Sequence, residues 1–184
     1  MRDSNRMTIN DIKLEFTRAS MAEFPALLDK HGNDSRKGVQ KLCKQEEKRL
    51  EDYHNEIERI KQINKFDRQY LTYGNICGVD EVGRGPLAGP VLACAIILPE
   101  NCDILYINDS KKLSEKKREE LYNIIIDKAI SYGIGMVSPE DIDELNIQEA
   151  TFQAMRLAIE DLSIKPAIVL SDGFTIPAVD INQV

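Results

Sequence analysis

Three acidic residues carry the clearest chemistry in this chain. Asp80 and Glu81 end a short apolar run, Ile76, Cys77 and Val79, and Asp172 follows a second run, Ile168 to Ser171, with Gly173 behind it. Buried strands seldom deliver charge, and carboxylates at strand ends suit hard divalent cations such as Mg²⁺ or Mn²⁺, which prefer oxygen ligands and keep several waters. Neighbouring side chains on a regular strand point to opposite faces, so Asp80 and Glu81 can address one site only if the strand ends or bends at Glu81. Gly83, Gly85, Pro86, Gly89 and Pro90 permit that bend, and backbone without Cβ atoms lets a sugar or phosphate approach closely. Seen alone, Asp172-Gly173 reads as a turn after a strand; beside the acidic pair it becomes a third metal ligand. A hydroxyl and two ammonium groups, Ser110, Lys111 and Lys112, precede a helix capped by Ser114, which makes either a phosphate seat or a solvated basic turn. No Ser/His/Asp constellation competes.

The unbroken order Asp80-Glu81-Val82-Gly83-Arg84-Gly85-Pro86-Leu87-Ala88-Gly89-Pro90 closely resembles the signature of ribonuclease HII, the type 2 ribonuclease H. Asp109-Ser110-Lys111-Lys112-Leu113-Ser114 and the stretch from Asn146 to Met155 resemble the same family. The resemblance implies a ribonuclease H-like α/β fold and an endoribonuclease that hydrolyses the RNA strand of RNA/DNA hybrids. It also implies cutting on the 5′ side of ribonucleotides embedded in duplex DNA, by two-metal-ion catalysis with Mg²⁺ or Mn²⁺. By the same resemblance Asp80, Glu81 and Asp172 hold metal, and the backbone of Gly83-Arg84-Gly85 senses the 2′-hydroxyl. Ser110, Lys111, Lys112 and Asn146 complete the substrate contacts. The related ribonuclease HIII typically has Gly-Thr-Gly in place of Gly-Arg-Gly and an N-terminal domain containing a sheet, so both features favour HII. The family pattern continues with a Lys-Gly-Asp segment, a serine- and alanine-rich strand, a fourth carboxylate and a tyrosine that stacks at the RNA/DNA junction. None is found before Val184, and Asp180 does not fit the missing acid. The expectation is a C-terminally truncated sequence, its second metal poorly held, with little or no activity in this form. The rival reading is an inactive fragment that binds hybrid duplexes weakly through Lys111, Lys112 and the glycine loop.

The elements that must position these residues can also be read. The 184 residues suffice for one well-buried domain and a small appendage. With 42% hydrophobic and 30% charged residues the composition is that of a soluble protein, and no apolar run approaches a bilayer span. The N-terminus lacks the apolar core of a signal peptide, so a cytoplasmic monomer without membrane contact is the expectation. Cys43, Cys77, Cys94 and Cys102 have no C-x-x-C spacing and read as reduced, mostly buried thiols. A net charge of −7 excludes a protein that coats nucleic acid through its whole field, so contact must be local.

Residues 1–72 read as an all-helical extension, with capping boxes at Thr8/Asp11 and Ser20/Glu23 and Pro25 early in a second helix. A long amphipathic helix from Ser35 to about Leu71 follows; its early basic residues, Arg36, Lys37, Lys41, Lys44, Lys48 and Arg49, could touch a nucleic-acid backbone, against the blander reading of a solvated face. Residues 73–184 read as the catalytic domain, incomplete at its C-terminus: a mixed sheet flanked by helices, strand order 3-2-1-4, with the fifth strand and the C-terminal helices missing. Val91 to Leu98 is nearly all apolar and predicts a strand covered on both faces. Ile130 to Val137 predicts a third strand that Gly133 and Gly135 weaken. A right-handed crossover then sets the Ile168 strand parallel to the first, since only adjacency lets Asp172 meet the acidic pair.

Overall fold

A computed structural model describes residues 6–85, 88–100, 102–173 and 175–184. Pro86 and Leu87 of the glycine-rich signature lie outside the described residues. The chain divides into two compact units, 1–61 and 62–184.

In the first unit, α1 (Ile9–Arg18) and α2 (Phe24–Gly32) precede the greater part of α3 (Lys37–Asp67). Both expected capping boxes form, Thr8 with Asp11 and Ser20 with Glu23, so the first amides of α1 and of the turn before α2 find partners. Ile12 and Phe16 pack with Phe24, Val39, Leu42 and Cys43, and the Phe16 and Phe24 rings meet edge to face at 5.3 Å. The connection from α2 to α3 is fastened by Asp34, which accepts hydrogen bonds from the Arg36 side chain at 2.7–3.1 Å and from its backbone N–H at 2.9 Å.

The second unit is built on one mixed sheet. Its described strands are β1 (Ile76–Val82), β2 (Val91–Ile97), β3 (Ser131–Val137), β4 (Ile168–Ser171) and β5 (Asn182–Gln183), in the order β3-β2-β1-β4-β5. β1 and β2 pair antiparallel across the glycine loop, β3 pairs antiparallel with β2, and β4 joins β1 in parallel. The fifth strand, expected to be missing, is present as two residues parallel to β4. Asn182 and Gln183 carry no apolar alternation by which a strand could be read; their pairing rests on backbone bonds and on the Gln183 amide.

Helices α4 (Glu115–Lys128), α5 (Pro139–Leu145) and α6 (Ile147–Glu160) complete this unit. The core lies between the sheet and α6, where Cys77, Val79, Val91, Ala93, Ala95, Ile97 and Val137 meet Ala150, Ala154, Met155 and Ala158. β2 is fully covered on this face only, Leu92 and Ile96 of the other being half-buried. Cys94, on its other face, is exposed, as are Tyr132, Ile134 and Met136 of β3, so an apolar strand here is not one buried on both sides. The glycines expected to weaken β3 instead let α6 lie directly on it. A Cβ at Gly135 would collide with the Ala154 carbonyl, and one at Gly133 with that of Ala158. The Ile134 N–H on this edge strand donates to Asp161 Oδ2 at 3.0 Å, which occupies a group that would otherwise stay open to pairing.

Candidate metal and nucleic-acid site

Strand register brings two of the three acids together. Val79 of β1 stands opposite Ser171 of β4 in a parallel ladder, so Asp80 and Asp172 each lie one residue beyond the last paired positions, on adjacent strands. Neighbouring strands are about 4.8 Å apart, which sets the two backbones at that spacing. Both side chains are exposed. The Asp80 carboxylate accepts from the Glu81 backbone N–H at 2.8 Å, which turns it back over the end of its own strand.

Glu81 is engaged differently. It is half-buried and accepts a hydrogen bond from Arg84 at 3.2 Å, a charged contact inside the glycine loop. β1 continues to Val82, so Asp80 and Glu81 still belong to a regular strand and the bend begins at Gly83. Gly83 has φ of +101° and an added Cβ would collide with the Pro90 carbonyl, so this turn requires glycine. Among the described residues no group of three or more His, Cys, Asp or Glu side chains is arranged to hold a metal ion. The donor chemistry nevertheless fits Mg²⁺ or Mn²⁺: such ions are commonly bound through one or two carboxylates, with waters and substrate phosphates completing the shell. Asp80 and Asp172 offer two such carboxylates; the bend expected at Glu81 comes two residues later, so Glu81 leaves the strand on the opposite face, with one oxygen on Arg84.

The remaining expected residues sit on separate loops. Ser110–Lys112 forms a single 3₁₀ turn whose Lys111 N–H donates to Asp109 at 2.9 Å, and Ser114 caps α4 by accepting from Lys117 N–H. Asn146 caps α6 by accepting from the N–H groups of Gln148 at 3.0 Å and Glu149 at 3.2 Å, so its amide oxygen is engaged. Its φ of +75° makes the reversal between α5 and α6. Ala154 lies over Gly135 and Ala158 over Gly133, so α6 runs antiparallel to β3. Val137 pairs with Val91, which sets the α6 N-terminus at the end of the sheet where β1 delivers its acids.

Two bracing residues were not legible as such. Arg118 donates to the carbonyls of Leu113 at 2.8 Å and Ser110 at 3.4 Å, tying the basic turn to α4. Gln183 accepts from Ile176 N–H at 2.7 Å and donates to Ile176 O at 3.0 Å, pinning the loop that follows Asp172. An amide side chain has both a donor and an acceptor, so it can bracket a peptide, but nothing in the local sequence says which peptide. A hollow of about 330 Å³ lined by Asn64, Asp67, Ile76, Leu98 and Ile130 contains none of the expected site residues.

Residues 77–183 match the family model for Ribonuclease HII, and residues 8–71 match that for the Ribonuclease HII N-terminal domain. The chain belongs to the ribonuclease HII family. Ribonuclease HII of Lachnoclostridium phytofermentans is 51% identical over 176 residues, covering 96% of this chain and 69% of its own. Ribonuclease HII of Clostridium botulinum is 46% identical over 94% of this chain and 65% of its own, and that of Bacillus subtilis 46% identical over 94% and 68%. The chain therefore spans about two thirds of the length of these ribonuclease HII relatives. Among solved structures, ribonuclease H2 from Pyrococcus horikoshii superposes with a TM-score of 0.49 at 31% identity, over 55% of this chain and 52% of that one. No described helix is long and apolar enough to cross a membrane.

Proposed function

We propose that this ribonuclease HII chain serves a metal-dependent endoribonuclease that hydrolyses the RNA strand of RNA/DNA hybrids. It also cuts on the 5′ side of ribonucleotides embedded in duplex DNA, leaving a 3′-hydroxyl and a 5′-phosphate. The observation that supports this most directly is the parallel β1–β4 register, in which Asp80 and Asp172 each follow the last paired residue, Val79 and Ser171, of adjacent strands. Asp80 and Asp172 would hold Mg²⁺ or Mn²⁺, and Glu81 would join them on a turn of the end of β1 that brings its carboxylate to their face. When bound, such ions polarise the phosphoryl oxygens, generate the attacking hydroxide and stabilise the leaving oxygen.

The chain's own residues do the selecting. The backbone at Gly83 and Gly85 approaches the sugar without an intervening Cβ, and the 2′-hydroxyl is the group that separates RNA from DNA. Arg84 neutralises Glu81 until a cation takes that place. The Ser110–Lys112 turn, braced by Arg118, offers the Lys111 and Lys112 ammonium groups to a phosphate. Asn146 holds the α6 N-terminus at the acidic end of the sheet.

A binding-only reading has one observation in its favour, the absence of a three-ligand group among the described residues. The two are separated by incubating the 184-residue chain, and a version extended by about 70 residues of its native reading frame, with a duplex carrying one ribonucleotide, in Mg²⁺ and in Mn²⁺, and resolving the ends. Metal-dependent cleavage 5′ to the ribonucleotide by the extended chain, lowered at least about 100-fold by Asp80→Asn and by Asp172→Asn, with little or none by the 184-residue form, is the expected result, since a lost cation removes several kcal/mol of transition-state stabilisation. Binding to the duplex without cleavage by either form would establish the second reading, and neither binding nor cleavage would overturn both.

A further inference from the structure

We propose that the face of α3 carrying Lys37, Lys41, Lys44 and Lys48 is a docking surface for the sugar-phosphate backbone of a nucleic-acid duplex. This rests on the reading of the chain as one that acts on duplexes. It concerns the first unit alone, to which no part of the carboxylate chemistry belongs.

The four lysines follow one another at intervals of four, three and four residues. At 3.6 residues per turn their directions fall within about 60° of the helix circumference, and at 1.5 Å per residue they extend over about 16 Å. Together with Gln40 and Gln45 they line one shallow groove, and all six residues are exposed. The opposite side of the same turns, Val39, Leu42 and Cys43, is buried in the core of this unit, so the lysine face is the one presented outward. The ion pairs of α3 lie elsewhere on it, Arg49 with Glu46, Arg59 with Glu56 and Lys61 with Glu58. Among the described residues none of the four ammonium groups is in an ion pair. Glu51, one turn beyond Lys48 on the same side, ends the stripe.

The chemistry of the partner follows from charge and from what the groove lacks. Each duplex strand presents one phosphate per about 3.4 Å of axis, so a row of about 16 Å faces several phosphates in succession. Long lysine stems adjust to that spacing without reading bases. An anionic bilayer would also attract lysines, but helices that lie in the headgroup region carry Trp, Phe or Leu to insert, and the groove is lined by Lys and Gln only. In a chain of net charge −7 this row is a local exception, so the contact it makes is local rather than spread over the surface.

The test is fluorescence anisotropy of the full 184-residue chain with a 20-base-pair DNA duplex, plain or carrying one ribonucleotide, between 50 and 200 mM salt. Four neutralised phosphates correspond to a log–log salt slope of about −3.6, or a loss of about 150-fold over that range. The combined K37Q/K41Q/K44Q/K48Q variant is expected to lose that part of the slope on both duplexes equally, leaving the ratio between them unchanged. Lys and Gln have similar helix propensity, so circular dichroism and melting should match the wild type. The corresponding four Lys→Arg substitutions should retain the slope, which separates charge from any fault in folding.

An unchanged slope in the Gln variant would overturn the proposal, as would binding to phosphatidylserine vesicles in place of the duplex. Because the plain duplex carries no ribonucleotide, this outcome is independent of the carboxylate site. Loss of the slope without ribonucleotide-directed cleavage by the extended chain would leave the stripe standing and sink the nuclease reading; cleavage by that chain with an unchanged slope would do the reverse.

Discussion

Glu81 accepts a hydrogen bond from Arg84 at 3.2 Å, so one side chain is claimed both by a guanidinium and, in the proposed chemistry, by a cation. Arg84→Ala releases the carboxylate. The expected outcome is a larger loss in cleavage of a ribonucleotide-containing duplex than in Mn²⁺ affinity, measured by gel assay beside titration calorimetry; equal losses would show that the loop supports the metal rather than the substrate. Gly83→Ala acts through the backbone, since a Cβ there meets the Pro90 carbonyl and φ is positive. It should cost about 1–3 kcal/mol in denaturant unfolding as well as lowering cleavage. At this scale the sequence was informative about identity and silent about pairing. The residues and their spacing named the three acids and the glycine turn, whereas the Glu81–Arg84 contact and the Gln183 bracket depend on rotamers and loop paths that no local pattern encodes.

Asp34 shows how the connection between α2 and α3 is held. Hydrogen bonds from the Arg36 side chain, more than any other cause, keep its carboxyl well below the usual carboxylate range. A carboxyl lowered on folding adds stability that is present above its unfolded value, near 3.8, and lost as pH falls through the lower folded one. Asp34→Asn should therefore lower the melting temperature at pH 7, and the difference from wild type should close progressively below about pH 4 when followed by circular dichroism. On the sheet, the sequence located β1, β2, β3 and β4 because each has an apolar run with a turn signal behind it. It located the third while weighing its glycines only as a loss of strand propensity, when their use is to seat α6. Gly135→Ala should cost about 1–3 kcal/mol by forcing helix and strand apart, a cost far above that of adding one methyl to an open strand. β5 escaped notice because two polar residues carry no periodicity.

For the molecule, the acidic balance and the lysine row act on different observables. Net charge governs solubility and long-range encounter, while the row governs the salt dependence of binding. Bringing Asp80 and Asp172 just past the paired part of adjacent strands sets two negative charges close together, so a cation that binds there should favour the folded state by mass action. A rise in melting temperature with millimolar Mn²⁺, abolished in Asp80→Asn/Asp172→Asn, is the expected outcome of a thermal-shift titration.

The direct seating of α6 on Gly133 and Gly135 bears on how long the acidic pair stays assembled. Backbone against backbone leaves no side chain that can rotate away to admit water, so the amides of β2 and of the buried side of α6 can exchange their hydrogens only when that whole layer opens. β1, which carries Asp80, is laddered to β2 along its length and should share this slow clock. β4, only four residues long, joins the same ladder from the other side and should exchange sooner. In a hydrogen–deuterium experiment the order expected is β5 first, then β4, then β1 with β2 and α6, so that one carboxylate departs from the site long before the other.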